Sequence, residues 1–335
     1  MQRFIRKWIS VIILVVILLI VFGTLISVNF STPEGSEETL VTNLALNFPQ
    51  YSTSSSWVTS YHFNYTSQIL EDAYTMPVWH HPPLPIILLI PFVHMTTNVY
   101  ILRFIPILLF LISIVLIYLS IKRTTRGVSY CIIPFIIFMD LYKGASYLYH
   151  DAFMTFFFAL SWYLIVKGSK WKYATVVALV VSKTPACLLL IPLMLKDKNW
   201  KLGLSILTLV PWYAAGVVEN GSAIWLFHNW APMQSFAYAH MGDLFSSTKN
   251  FFLVLASQGA FFYTILMLPV FAVFKKAYAE ISLLLIALLL FYGWACITYQ
   301  ALPMLLALPL CMAVYVDKVP GFLKRVRNSL ESQKV

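Results

Sequence analysis

Apolar runs of bilayer length, separated by short loops rich in lysine and arginine, constrain this chain more than any other feature. The first runs from Ile9 to Val28, behind Arg3, Arg6 and Lys7. About 20 apolar residues suit a membrane-crossing helix and are long for the core of a cleaved signal. No small-x-small cleavage site follows, so the segment reads as a retained signal anchor with its N-terminus in the cytoplasm. Further runs lie at 100–121, 128–142, 152–167, 173–183, 185–195, 202–218, 251–274, 281–298 and 301–316. With 60% apolar and 11% charged residues in 335, the chain is too apolar for a soluble protein. The expected fold class is all-α, a polytopic membrane protein with about ten spans. It forms one integral membrane domain over 1–335, with no repeat.

Some runs are too short to cross. Segments 173–183 and 185–195 read as two half-helices meeting at Lys183-Thr184-Pro185, with their far ends on the same side. The run 84–95 reads as an interfacial or re-entrant helix on the outer side. With this layout, all but four of the 23 Lys and Arg are cytoplasmic, including the basic tail 317–335. The four outside are Arg103, Lys143, Lys183 and Lys249. The net charge of +10 is scattered over short loops, which argues against a nucleic-acid surface. Most of the acids lie outside or near the outer ends, as do two long loops, 29–99 and 219–250. Loops of that length are usually functional. Three Asn-x-Ser/Thr sequons, at Asn29, Asn64 and Asn220, fall in the same places. Cys131, Cys187, Cys296 and Cys311 sit in apolar runs without metal-ligand spacing and read as buried thiols.

Candidate chemistry therefore gathers on the outer face. Glu34, Glu37 and Glu38 precede Leu40, Val41, Leu44 and Phe48, the pattern of a short amphipathic helix. Ser36 reads as its N-cap, with the glutamates favoured by the helix dipole; a carboxylate held there also suits a general base. His80-His81-Pro82-Pro83-Leu84 places two imidazoles beside a stiff Pro-Pro step. Asp151 opens the span 152–167, as a helix cap or as a functional membrane-edge acid. Lys183 sits between two apolar runs and requires an anion, either a carboxylate or a phosphate. Arg103 opens the span 100–121, as an interfacial anchor or a phosphate contact. His228 lies in the aromatic segment Trp225 to Trp230. His80, His150 and His228 could together hold a metal, although three scattered histidines are a weak pattern for one.

In order along the chain, these landmarks resemble the polyprenyl-phosphate-dependent glycosyltransferases of the GT-C fold. Protein O-mannosyltransferases and lipid A aminoarabinose transferases are the most similar groups. An acidic pair that starts a helix resembles Glu37-Glu38, followed by Val41 and Leu44. Trp57-Val58-Thr59 resembles a Trp-x-x-Pro-like segment, and His81 to Leu84 resembles a His/Lys-Pro-Pro-Leu step. Leu102-Arg103-Phe104, Asp151 to Thr155, Ser182-Lys183-Thr184-Pro185 and Pro211-Trp212-Tyr213 continue the series. The landmarks cover roughly residues 10–230, and 299–313 is a weaker echo. Two positions depart from the pattern: Glu37 stands where the family has Asp, and Thr184 where it has Gly. No counterpart of the soluble C-terminal domain of some relatives is expected.

The resemblance implies transfer of a sugar, with inversion, from a polyprenyl-phosphate donor to a protein, lipid or glycan acceptor. Glu37, with Glu34 as rival, would be the base, Glu38 beside it and Asp151 would also be catalytic, and Asp151 would hold the acceptor or help position the base. His80, His81, Arg103, Lys143, Lys183 and His228 would bind substrate, with cations stabilising the departing phosphate. A divalent metal is compatible with this chemistry and not required by it. The rival expectation is a transporter or lipid flippase, which usually carries mid-bilayer charges and internal repeats.

Overall fold

The computed structural model describes residues 2–32, 38, 41–42, 45–46, 82–125, 131–132, 143–148, 150–214, 277–293 and 302–316. They are helical, with no strand among them. α1 spans Gln2–Ser31, α2 Leu84–Val93, α3 Val99–Leu102 and α4 Phe104–Thr124. α5 spans His150–Lys167, α6 Lys172–Val180, α7 Leu190–Asp197, α8 Tyr278–Gly293 and α9 Leu302–Val316. Short 3-10 helices cover Lys143–Ser146, Thr184–Leu189 and Trp200–Leu209.

Two of the described helices are long and apolar enough to cross a membrane. They are Trp8–Ser31, 24 residues, and Val99–Thr124, 26 residues, in which α3 runs on into α4 through Arg103. At 1.5 Å per residue both exceed a hydrocarbon core of about 30 Å. α2 is a ten-residue apolar helix, as the short run 84–95 implies, and buries Ile86, Leu89 and Val93 on one face. The runs 128–142 and 251–274 lie almost wholly outside the described residues. The start of 202–218 forms a 3-10 helix, where an α-helical span was expected. Ser205 and Thr208 donate to the carbonyls of Leu202 and Ser205, three residues back, at 2.7 and 2.6 Å. These bonds accompany the tighter winding.

Specific contacts set the helix directions. Ser10 Oγ lies 3.1 Å from Tyr118 Oη, and Asn29 Nδ2 donates to the Tyr100 carbonyl at 3.0 Å. α1 therefore runs antiparallel to α4. α4 and α5 are parallel: their first turns meet around Arg103, and Arg123 lies over the Tyr163 ring at 5.7 Å near their other ends. Between them the interior is tight, with Phe110, Ile114, Ile117, Phe158 and Trp162 almost wholly buried.

The segments after α5 form a helical hairpin. α5 ends in a Schellman turn: Gly168, at φ 71°, donates to Ile165, and Ser169 donates to Leu164. α6 then returns along α5, held by Ser161 and Thr175 hydroxyls 3.0 Å apart. The chain breaks at Val181–Lys183, and α7 runs back beside α6. Lys172 and Asp197 close the base of the hairpin at 2.6 Å, so its two far ends lie together. Lys196 reaches Glu280 on α8 at 2.5 Å and lies over Trp162. The bundle thus has an Arg103 end and a Lys196 end.

Candidate functional site

At the Arg103 end two buried ion pairs lie close together in the fold. Arg103, where α3 meets α4, is wholly buried. Its Nε and Nη2 donate to the two oxygens of Glu38 at 2.8 and 2.5 Å. Its Nη1 donates to the carbonyls of Asn29 and Thr32 at 3.0 and 2.9 Å, satisfying groups that the end of α1 leaves open. Tyr100 and Tyr147 present their rings to the guanidinium at 5.2 and 5.5 Å. Glu38 Oε1 also accepts from the Leu148 amide at 2.8 Å. One guanidinium–carboxylate fork therefore ties together α1, the Glu38 segment, α4 and the chain entering α5.

That placement bears on two expected roles. Arg103 neither anchors at an interface nor faces outward for a phosphate; it is enclosed by protein acceptors. Glu38 uses both oxygens on Arg103 and Leu148, so its geometry is that of an anchor and not of a base. The reason is burial: a fully desolvated charge is stable only when paired and hydrogen-bonded.

Asp151, in the first turn of α5, is also buried, and Lys183 Nζ donates to its Oδ2 at 2.7 Å. Lys183 sits at the tip of the hairpin, between α6 and the 3-10 helix that starts at Thr184. Of the two anions its position allowed, it takes the carboxylate. Asp151 Oδ1 is buried and has no hydrogen-bond partner among the described residues. A buried bare carboxylate oxygen is uncommon and calls for a ligand or a function. Leu84 N donates to Val181 O at 3.3 Å, so the Pro-Pro-Leu step abuts the tip that carries Lys183. Thr184 and Tyr213 hydroxyls are hydrogen-bonded just beyond it.

An apolar groove of about 580 Å³ opens at the same end of the bundle. Leu88 and Phe92 of α2, Phe104 and Leu108 of α4, and Phe153 and Phe157 of α5 line it. Nothing in the periodicity announced this groove, because it is made by three elements that meet only in the fold.

The structure thus brings Glu38, Arg103, Asp151, Lys183 and the Pro82-Pro83 step to one end. Lys143 opens the 3-10 turn Lys143–Ser146. Glu34, Glu37, His80, His81 and His228 lie outside the described residues, as do Asn64 and Asn220. Asn29 is buried and bonded to Tyr100, which takes its side chain away from any glycosylating enzyme. Among the described residues, no three His, Cys, Asp or Glu side chains converge as a metal site would need. Compared with protein-family models, with curated proteins and with solved structures, the chain matches none of them.

Proposed function

We propose that this protein is a multi-pass membrane glycosyltransferase of GT-C type. It moves a sugar from a polyprenyl-phosphate donor to a protein, lipid or glycan acceptor at the Arg103 end. That end faces the extracytoplasmic side; both termini and the basic Lys196 end face the cytoplasm, as the charge distribution requires. The observation that carries the reading is the half-satisfied Asp151–Lys183 pair at the end of the bundle that also holds an apolar groove. The groove suits an isoprenoid chain, and the bare oxygen suits a hydroxyl of sugar or acceptor.

In this mechanism Glu37, next to the anchored Glu38, takes the proton of the acceptor hydroxyl. The acceptor oxygen attacks the anomeric carbon, the bond from that carbon to the phosphate oxygen breaks, and the polyprenyl phosphate leaves with the electron pair. Asp151 Oδ1 orients the acceptor, and Lys183 fixes Asp151. His80 and His81, which precede Pro82 in the sequence, bind the departing phosphate. Arg103 serves indirectly, by fixing Glu38.

The test is sugar release in proteoliposomes from a panel of radiolabelled polyprenyl-phosphate sugars. Wild type should turn over one donor, and Glu37→Gln and Asp151→Asn should lose about 10²-fold or more. Full activity in both folded variants would sink the mechanism. Lipid translocation across the bilayer without sugar release would favour a flippase.

A further inference from the structure

Two turns at the Lys196 end carry charge that no ion pair among the described residues uses. Residues 168–171 join α5 to α6, and 198–199 join α7 to the 3-10 helix Trp200–Leu209. The turns are stitched together by Lys172–Asp197 at 2.6 Å and by Asn199 Nδ2 donating to Tyr173 Oη at 3.1 Å. Asp197, the one acid in either turn region, accepts from Lys172 through Oδ1, and its Oδ2 is buried without a hydrogen-bond partner among the described residues. Lys170, Lys198 and Lys201 are exposed around the stitch, with Trp171 67% and Trp200 70% exposed beside them.

Lys198 is held in an unfavourable conformation. The two turns close their helices in the same way: Ser169 N donates to Leu164 O, and Asn199 N to Met194 O, each five residues back. Each needs a left-handed residue before that amide. The first turn uses Gly168; the second uses Lys198, at φ 52°, the only non-glycine residue of positive φ among the described residues. A side chain is strained there, and such strain marks positions where the side chain itself is wanted.

We propose that these two turns form a platform for the phosphate groups of anionic phospholipids. Lys170, Lys198 and Lys201 supply the cations, and the two indoles lie at headgroup depth. A lipid is favoured over other polyanions because exposed apolar side chains adjoin the platform: Leu195, Leu204 and Leu207 are each about half exposed, at 45%, 52% and 59%. A bilayer covers such a surface, and its headgroups then meet the lysines. The inference rests on the membrane reading and not on sugar transfer.

The experiment uses the full chain in detergent micelles doped with equal phosphatidylglycerol and phosphatidylcholine, with retained lipid counted by native mass spectrometry. Wild type should retain phosphatidylglycerol preferentially, and each neutralised lysine should weaken that preference about fivefold. Lys198→Asn is the decisive single variant, since asparagine accepts the left-handed conformation. It should lose about fivefold in preference with an unchanged or higher thermal midpoint. Equal retention of both lipids by wild type would overturn the proposal. So would an undiminished preference in the folded triple variant K170Q/K198Q/K201Q. Displacement of phosphatidylglycerol by inorganic phosphate at matched concentration would overturn the lipid as the source of the anion. Donor hydrolysis enters none of these outcomes, so failure here is distinct from failure of the transferase reading.

Discussion

Glu38 and Asp151 are both buried carboxylates beside a cation, and their remaining contacts separate their tasks. Glu38 has a bidentate arginine and a backbone amide, so both of its oxygens are engaged. Asp151 bonds Lys183 through Oδ2, and its Oδ1 has no hydrogen-bond partner among the described residues. Removing one partner of a closed buried pair strands the other charge. Glu38→Gln should therefore destabilise the protein by about 3–5 kcal/mol, read as a fall in the detergent unfolding midpoint. Arg103→Lys should also be damaging, because an ammonium cannot reproduce the fork and the two carbonyl bonds at once. A midpoint unchanged in both variants would show that the fork is not needed for folding. Asn29 gives a third prediction at this scale. In a host that glycosylates such sequons, Asn29→Gln should leave the glycan mass unchanged, because that side chain is buried.

At the scale of elements, the α6–α7 hairpin links the two ends of the bundle. Its tip presents Lys183, and its base is closed by Lys172–Asp197. The base pair is largely buried, so Lys172→Gln should cost more than the roughly 1 kcal/mol of an exposed pair. Gly168→Ala should cost about 1 kcal/mol, although open space surrounds that position, because its φ of 71° excludes a comfortable side chain. The one-turn helix α3 depends on its cap: Asn98 Oδ1 accepts from the Tyr100 and Ile101 amides at 3.0 and 3.3 Å. Asn98→Ala should cost about 1 kcal/mol, measured by chemical denaturation.

For the whole molecule, the proposed orientation makes a labelling prediction. In a cysteine-free background, a cysteine at Thr96 should react with an impermeant reagent added outside, and one at Ser169 only after the membrane is opened. Equal labelling from one side would defeat the layout. The same orientation explains why the exposed Lys170, Lys198 and Lys201 share an end with Lys122, Arg123 and Lys167, while Arg103 and Lys183 at the opposite end are buried and paired. A cation with headgroups or water in reach stays exposed, whereas one at the site end needs an internal anion.

Much of the helical layout was legible from local properties. Unbroken apolar length marks α1 and the α3–α4 rod, Pro185 after Lys183 marks the hairpin break, and the short run with its Pro-Pro entry marks α2. These depend on neighbours in the chain, as do helix length, proline stereochemistry and hydropathy. The pairing of charges was not legible in that way. Arg103 could have met a phosphate and Glu38 could have been a base, until the fold set them 2.5 Å apart across 65 residues of chain. The groove, the bare oxygen of Asp151 and the enclosure of Asn29 belong to the same class. Each arises where elements distant in sequence come together, and the free energy of a buried charge depends on which groups those elements bring to it.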